Sequence, residues 1–372
     1  VNSTDIRVGI VGCGGFGLFA LQQFTQVPGI SLVGMAGTAR EAAAAAARRF
    51  GIPEIESVEK LVTRDDVDLI YIATPPFLHH TQAMAALSAG KHVICEKPMA
   101  MTLEHADAMI DTAARKGLLV VANLMQRYNP VYAAVTQLVE SRLLGEPIHA
   151  FFENYASDEN LPPEHWFWDR SKSGGIFIEH GVHFFDLFAG WFGTGTVVAA
   201  QRGLRPGVQP EIEEQVLCTV VYPQSVLATF YHGFHQAGRM DRQEIRLVFE
   251  RGDVTLLDWV PTRVRIHALV DEAQTRQIME TFPGARLDVA ASYGPRDRVF
   301  QARHKTIDAY QLIDLSWGDG INKSHRYCEL LRLMMADQSA WIRDRNHARV
   351  VTEMNGRDSL ALAVESDRLA NA

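Results

Sequence analysis

Three clusters in this 372-residue chain have the residue types and spacing to do chemistry. The first is Gly12-Cys13-Gly14-Gly15-Phe16-Gly17, a G-x-G-x-x-G turn after an apolar, β-branched run (Arg7–Val11) and before a helical stretch reaching about Thr25. In that setting Gly12 permits the tight turn, Gly14 lets the backbone approach a pyrophosphate, and Gly17 lets helix and strand pack closely. The helix N-terminus then offers N–H groups and the positive end of its dipole to phosphates. The second cluster is Glu96-Lys97-Pro98, at the end of a short strand, His92–Cys95. Lys97 is a cation that could hold a substrate oxygen. The third is Glu179, His183 and Asp186. If the stretch from about Ile176 to Phe192 is helical, they share one face. An unperturbed His183 would titrate near neutral pH and could pass a proton.

Each of these also has a plainer reading. Lys97 could be a surface lysine at a strand end, and His183 a hydrogen-bonded core histidine. Asp186 could hold a neighbouring backbone turn or orient His183. Glu179 and His183 have metal-ligand spacing on a helix. His79 could line a cofactor cleft or be a solvated first-turn residue.

The elements around these residues alternate. A second strand, Ser31–Ala36, ends about 20 residues beyond the glycines, where a carboxylate commonly binds the ribose 2′-hydroxyl of NAD. This chain has Gly37-Thr38-Ala39-Arg40 there. No carboxylate would repel a 2′-phosphate, Thr38 could donate to it, and Arg40 could supply charge. NADP is therefore expected in preference to NAD, although Arg40 also reads as a solvated first-turn residue. Next come an Ala-rich helix (Arg40–Phe50), a strand (Leu69–Ala73), the turn Thr74-Pro75-Pro76 and a helix (Leu78–Ala89). The strand His92–Cys95, a helix (Leu103–Lys116) and a last strand (Leu118–Ala122) complete the set. The pattern predicts an α/β Rossmann-type, doubly wound parallel sheet over residues 1–125, with ligands beyond the carboxyl ends of its strands.

Residues 126–372 read differently, as an α+β domain for substrate binding and oligomerisation. After a helix (Pro130–Leu144) come a strand (Ile148–Tyr155) and strand-like runs at 196–204, 215–222, 226–235, 243–250 and 253–257. Turn signals separate them and no long helix intervenes, so a large, mostly antiparallel, open-faced sheet is expected. Helices at about 324–344 and 355–370 close the chain, the last expected to pack back on the first domain. Residues 258–323 yield no assignment. The loop holding Tyr155, His165, Trp166, Phe167, Trp168, Asp169 and Arg170 has aromatic faces and polar edges that suit a polyhydroxylated ring. Trp166–Trp168 could equally plug the end of the sheet.

Composition excludes several classes. There are 36 Lys+Arg against 44 Asp+Glu, a net charge of −8, with no basic block, which argues against nucleic acid. Apolar content of 47% against 22% charged residues argues against disorder. No charge-free apolar run of about 18 residues is present, so no membrane span is expected. Cys13, Cys95, Cys218 and Cys328 are scattered, unlike a disulfide framework or a zinc site. With no signal-like opening segment, a cytoplasmic location is expected.

Taken together, the motifs resemble the Gfo/Idh/MocA oxidoreductases, the family of glucose–fructose oxidoreductase and inositol 2-dehydrogenase. The matching stretches are Gly12–Gly17, Ala73-Thr74-Pro75-Pro76 with His79, Gly90-Lys91-His92-Val93 leading into Glu96-Lys97-Pro98, Arg127-Tyr128-Asn129-Pro130, and Gly174–Asp186. The resemblance covers about residues 6–192 and is looser beyond. It implies hydride transfer between a nicotinamide and a carbinol or carbonyl carbon of a sugar, cyclitol or related polyol. It places Lys97 near the reacting carbon and makes Glu179 and His183 the acid-x-x-x-His pair, with Glu where many members have Asp. Lys97, His183 and Glu179 are thus the catalytic candidates. Expected cofactor contacts are Gly12, Gly14, Gly15, Phe16, Gly17, Gly37, Thr38, Arg40, Thr74, Pro75, His79, Glu96 and Lys97. Expected substrate contacts are Arg127, Tyr155, Trp168, Arg170, Glu179 and Asp186. Hydride transfer from a nicotinamide needs no metal, and none is expected. The resemblance also implies a homodimer or homotetramer through the sheet face. Two alternatives stay open: a glycosidase or lyase that retains the cofactor for transient oxidation, and an NADP-binding sensor without turnover.

Overall fold

The structure, a computed structural model, describes residues 5–37, 40–55 and 57–372. Two units are resolved by their internal contacts. One comprises the chain up to Tyr128 together with Pro162–Asp186 and Cys328–Asp367; the other comprises Asn129–Leu161, Leu187–Tyr327 and Arg368–Ala372. The first is thus assembled from three stretches of sequence.

In the first unit, β1 (Ile6–Val11), α1 (Gly15–Phe24), β2 (Ile30–Ala36), α2 (Arg40–Phe50) and α3 (Val58–Val62) precede β3 (Leu69–Ile72). They are followed by α4 (His79–Ser88), β4 (His92–Cys95), α5 (Leu103–Lys116) and β5 (Val120–Ala122). The strands form one parallel sheet in the order β2-β1-β3-β4-β5. β3 and β4 are buried along almost their whole length, as expected of a sheet covered on both faces. The order reverses between β1 and β3, which makes their carboxyl ends the topological switch point. Gly12 stands there at φ +102°, and a Cβ on it would come within 2.5 Å of the Ala73 carbonyl oxygen. Only glycine fits so close an approach. α5 is stopped at both ends: Thr102 accepts from the His105 N–H, and Gly117 closes it in the left-handed conformation.

The later stretches complete this unit. A π-helical turn, Phe177–Gly181, runs directly into the helix Val182–Phe192. From the carboxyl-terminal helices, Leu330, Leu331, Met334, Leu360 and Ala363 are fully buried. Gly356 allows the last helix to close on β5: a Cβ there would sit 3.1 Å from the Ala122 methyl and 3.3 Å from Met99 Sδ.

The second unit is built on a nine-stranded sheet. Its strands include β6 (Pro147–Ala156), β7 (Thr196–Leu204), β8 (Glu213–Tyr222), β9 (Val226–Phe234), β10 (Arg242–Phe249), β11 (Gly252–Leu257) and β12 (Arg263–Val270). Next come β13 (Arg286–Ser292), the hairpin β14 (Val299–Ala302) and β15 (Lys305–Asp308), and β16 (Gln311–Gly318). The order is β13-β16-β12-β11-β10-β6-β9-β8-β7, with β6 and β9 parallel and every other pair antiparallel. Side chains alternate: in β12, Val264, Ile266, Ala268 and Val270 are buried while Arg263, Arg265 and His267 are exposed. The inner face meets aromatics, with Phe188 4.6 Å from Phe230 and Phe192 5.7 Å from Tyr222 between ring centres. The stretch 258–323, unassigned from sequence, thus supplies β12, β13 and β16 to the sheet. It also supplies the helix Glu272–Thr281, started by a reciprocal Asp271/Gln274 capping box.

Candidate active site

The glycine turn is shaped to receive phosphates. α1 begins at Gly15 with Gly14 as its cap, and no side chain caps it. A Cβ on Gly14 or Gly15 would meet none of the described residues within 4 Å, so on that side the cradle opens outward. On its inner side a Cβ at Gly17 would press on the Gly12 carbonyl, which fixes the close fit of α1 to β1. Phe16, beside them, is half-buried. An open cradle with uncapped N–H groups fits the pyrophosphate of a dinucleotide. Thr38 and the side chain of Arg40 lie outside the described residues.

At the ends of β3, β4 and β5 a polar cluster gathers. Lys97 Nζ lies 2.5 Å from Glu179 Oε1 and donates to the Glu179 carbonyl at 2.8 Å. Both side chains are largely buried. Behind Lys97, the Glu96 carboxylate accepts from the Tyr71 hydroxyl and from Asn123 Nδ2 (2.8 Å). Burial of that carboxyl pushes its pKa up to about 7, against the pull of its two donors and of Lys97. Asn123 keeps a buried Oδ1 with no hydrogen-bond partner among the described residues. An orphaned acceptor at the ligand edge of the sheet also fits a group carrying N–H donors. Asn123 was missed by the sequence reading, although its place, one residue after the last strand, was the signal available.

His183 is buried, and desolvation, then the Lys97 charge, pulls its pKa well below the ordinary range. The expectation of an unperturbed titration near neutrality is therefore corrected: the imidazole is held neutral. The three-residue face is also modified. The π-helical turn carries Glu179, so it is not in α-helical phase with His183 and Asp186.

The remaining candidates separate. His79 is fully buried with Nδ1 2.7 Å from the Pro98 carbonyl and Nε2 2.7 Å from the Thr74 carbonyl. It is neither solvated nor open to a ligand; it ties the turns after β3 and β4 together. Thr74 Oγ1 donates to Gln82 Oε1 at 2.6 Å, and Pro75 caps a short 3-10 turn, Pro76–Leu78. Asp186 and Arg127 were expected at the substrate, but they are taken up with each other. Arg127 donates to both carboxylate oxygens (2.8 and 2.9 Å) and to the Asp186 carbonyl (2.9 Å), while Asn355 Nδ2 donates to Asp186 Oδ1 at 2.9 Å. Arg170 is similarly engaged, 2.6 Å from Asp367 Oδ1. Trp168 is buried, edge-on to Phe167 at 4.7 Å. Tyr155 belongs to the second unit, on the outer face of β6, with Tyr231 5.2 Å away and the Arg242 guanidinium 4.8 Å over its ring.

Comparison with known proteins agrees with this architecture. A family model described as "Oxidoreductase family, NAD-binding Rossmann fold" matches residues 6–124, and one for the "GFO/IDH/MocA C-terminal domain" matches residues 132–255. The chain is 34% identical over 198 residues to 1,5-anhydro-D-fructose reductase of Ensifer adhaerens, covering 51% of this chain and 58% of that protein. It is 28% identical over 185 residues to scyllo-inositol 2-dehydrogenase (NAD(+)) of Bacillus subtilis (strain 168), covering 49% and 53%. The chain thus spans a little over half the length of these curated relatives. Among solved structures, levoglucosan dehydrogenase in complex with NADH and L-sorbose superposes with a TM-score of 0.78 at 20% identity, covering 99% of this chain and 97% of that one. Biliverdin reductase from Synechocystis sp. PCC 6803, in complex with biliverdin and NADP+, gives 0.73 at 20% identity and 99% of both chains. At such identity the likeness is one of fold. No helix among the described residues is long and apolar enough to cross a membrane. The two family models together span about two thirds of the sequence, one over the glycine-turn sheet and one over the open sheet, and the chain belongs to the GFO/IDH/MocA oxidoreductases.

Proposed function

We propose that the protein is an NAD(P)-dependent oxidoreductase acting on a carbinol or carbonyl carbon of a sugar, cyclitol or related polyol. The observation that carries this reading is Lys97, fixed by Glu179 at the carboxyl edge of the sheet, beside a histidine held neutral. A bound nicotinamide supplies or accepts the hydride. The chain's own residues handle the oxygen and the proton. An ammonium has three N–H donors, and Glu179 takes two of those on Lys97, leaving one for the substrate oxygen. In the oxidising direction a neutral His183 can accept the hydroxyl proton at a ring nitrogen, and in the reducing direction it returns it. Glu179, committed to Lys97, acts here as a positioning residue. The Arg127–Asp186–Asn355 cluster holds the start of the helix that carries His183.

NADP is the preferred cofactor on this reading, because no carboxylate follows β2. The relatives support the substrate class: one is named for an anhydro-sugar, the other for an inositol. We assign the outer face of the nine-stranded sheet, where Val198, Leu217 and Leu227 are exposed, to a second copy in a homodimer or homotetramer. Four free cysteines accord with a reducing, cytoplasmic compartment.

The test is absorbance at 340 nm with NADP and NAD over a panel of sugars and inositols. Turnover is expected with at least one polyol, and Lys97→Ala should lower kcat by about a thousandfold, since it removes the group on the developing charge. Undiminished turnover in that variant would sink the role given to Lys97. Product without net absorbance change would move the protein to the cofactor-retaining hydrolases or lyases, and tight NADP binding without turnover to the sensors.

A further inference from the structure

Gly37 raises a question that its backbone does not answer. It follows β2 directly, 20 residues past Gly17, the place at which dinucleotide-binding folds usually present a carboxylate to the ribose 2′-hydroxyl. Its φ lies outside the left-handed region, so the conformation admits any residue. What excludes a side chain is a neighbour. A Cβ on Gly37 would stand 2.7 Å from Cys13 Sγ and 3.2 Å from Cys13 Cβ, against about 3.5–4.0 Å for an ordinary carbon contact.

Cys13 has little room to yield. It is the second residue of the glycine turn, buried, and its Sγ lies 3.6 Å from the Ala36 carbonyl at the end of β2. Burial pushes the thiol up to about 11, so it stands there as a neutral, compact filler. Swinging Sγ aside would leave its Cβ still crowding the new side chain.

We propose that Cys13 is a specificity-determining residue: its side chain fills the volume that a residue-37 side chain would need, makes glycine obligatory there, and so keeps a carboxylate away from the 2′ position of the bound dinucleotide. The consequence is a site that does not repel a 2′-phosphate. The inference rests on the dinucleotide reading of the glycine turn but on no polyol substrate, so its test uses nucleotide binding and thermal melting alone.

The experiment compares wild type, Cys13→Gly, Gly37→Ala, Gly37→Asp and the two doubles Cys13→Gly/Gly37→Ala and Cys13→Gly/Gly37→Asp. Calorimetric titration with NADP and with NAD gives affinities, and a thermal scan gives Tm. Wild type should bind NADP at least about tenfold tighter than NAD. Gly37→Ala should melt several degrees lower, as overpacking does, and recover most of that loss when Cys13 is also glycine. Gly37→Asp alone should weaken both nucleotides, whereas Cys13→Gly/Gly37→Asp should shift the NADP-to-NAD preference toward NAD by at least about tenfold. If the aspartate double fails to fold, the alanine pair still decides the steric claim. A Gly37→Ala variant as stable as wild type would overturn it, as would a Gly37→Asp variant that gains NAD affinity with Cys13 intact. Wild-type protein that prefers NAD would overturn the link to selectivity.

Discussion

Pairs from each unit show two ways of placing charge. In the first, two ion pairs are sunk into the protein: Asp186 is 2% exposed beneath Arg127, and Lys97 meets Glu179 with both largely buried. In the second, the open sheet carries its charges on the water-facing side, as in the His267–Asp314 pair, where both side chains are about half exposed. Desolvated pairs are costly to assemble and costly to break, while solvated ones contribute little either way. The difference marks which of these pairs fixes local geometry and which merely decorates a surface.

The contrast breaks first at Asp186. Asp186→Ala leaves the Arg127 guanidinium buried without its partner, and we expect a loss of about 3–5 kcal/mol in denaturant unfolding. A loss under 1 kcal/mol would mean that this pair is no more consequential than a surface pair. Next is Glu96. Its folded pKa of about 7 lies above the ordinary value of 4.5, so the folded protein keeps a proton that the unfolded chain has lost. The resulting stability is full below pH 4.5 and is lost as pH rises toward 7. Glu96→Gln keeps an acceptor for Tyr71 and Asn123 without the charge. Its stability relative to wild type should therefore rise by about 3 kcal/mol at most between pH 4.5 and 8.

The second unit also buries titratable groups: the Arg326–Asp319 pair is 2.7 Å apart with both side chains buried, and His232 sharpens the comparison. His232 is fully buried, and burial lowers its pKa to about 3 from 6.5. The folded protein thus binds fewer protons than the unfolded chain below pH 6.5, and stability falls with acid from there toward 3. Between pH 6.5 and 5 this amounts to about 2 kcal/mol, which His232→Gln should abolish in parallel melts of the two proteins. The smallest effect is expected at the open face: Asp314→Ala should change stability by no more than about 0.5 kcal/mol.

Much of the first unit was legible in the sequence because a parallel sheet writes itself as short apolar runs closed by glycine and proline. His92–Cys95 and Leu103–Lys116 fall where the pattern puts them. The site residues were legible as a set, but their mutual contacts were not. That Arg127 closes on Asp186, or that His79 spans two carbonyls, depends on side chains meeting across distant sequence. Thr102 could be read as a cap because its partner is local; Asn355 could not be read as a partner of Asp186. In the second unit β12 has clean alternation, yet β13, at the sheet edge, is mostly exposed and carries no buried period. Without that neighbour, 258–323 offered no sheet to join. Gly37 shows a further limit. Its missing carboxylate was visible in the sequence, but the reason for it, the thiol of Cys13, was not.

The three-part make-up of the first unit bears on how the protein is born. The glycine turn leaves the ribosome early, yet Arg332, which donates to Gln23 Oε1 at 2.7 Å, follows some three hundred residues later. Tyr128 likewise waits for Asp337, its hydrogen-bond acceptor at 2.7 Å, and Arg170 waits for Asp367. Domains usually complete themselves in order of synthesis. Here the unit begun first is completed only after the whole open sheet has been made. Nascent chains stalled before Cys328 should hold a sheet whose outer seams remain open, and a chaperone that shields them would have its longest dwell on the early-made half of the molecule.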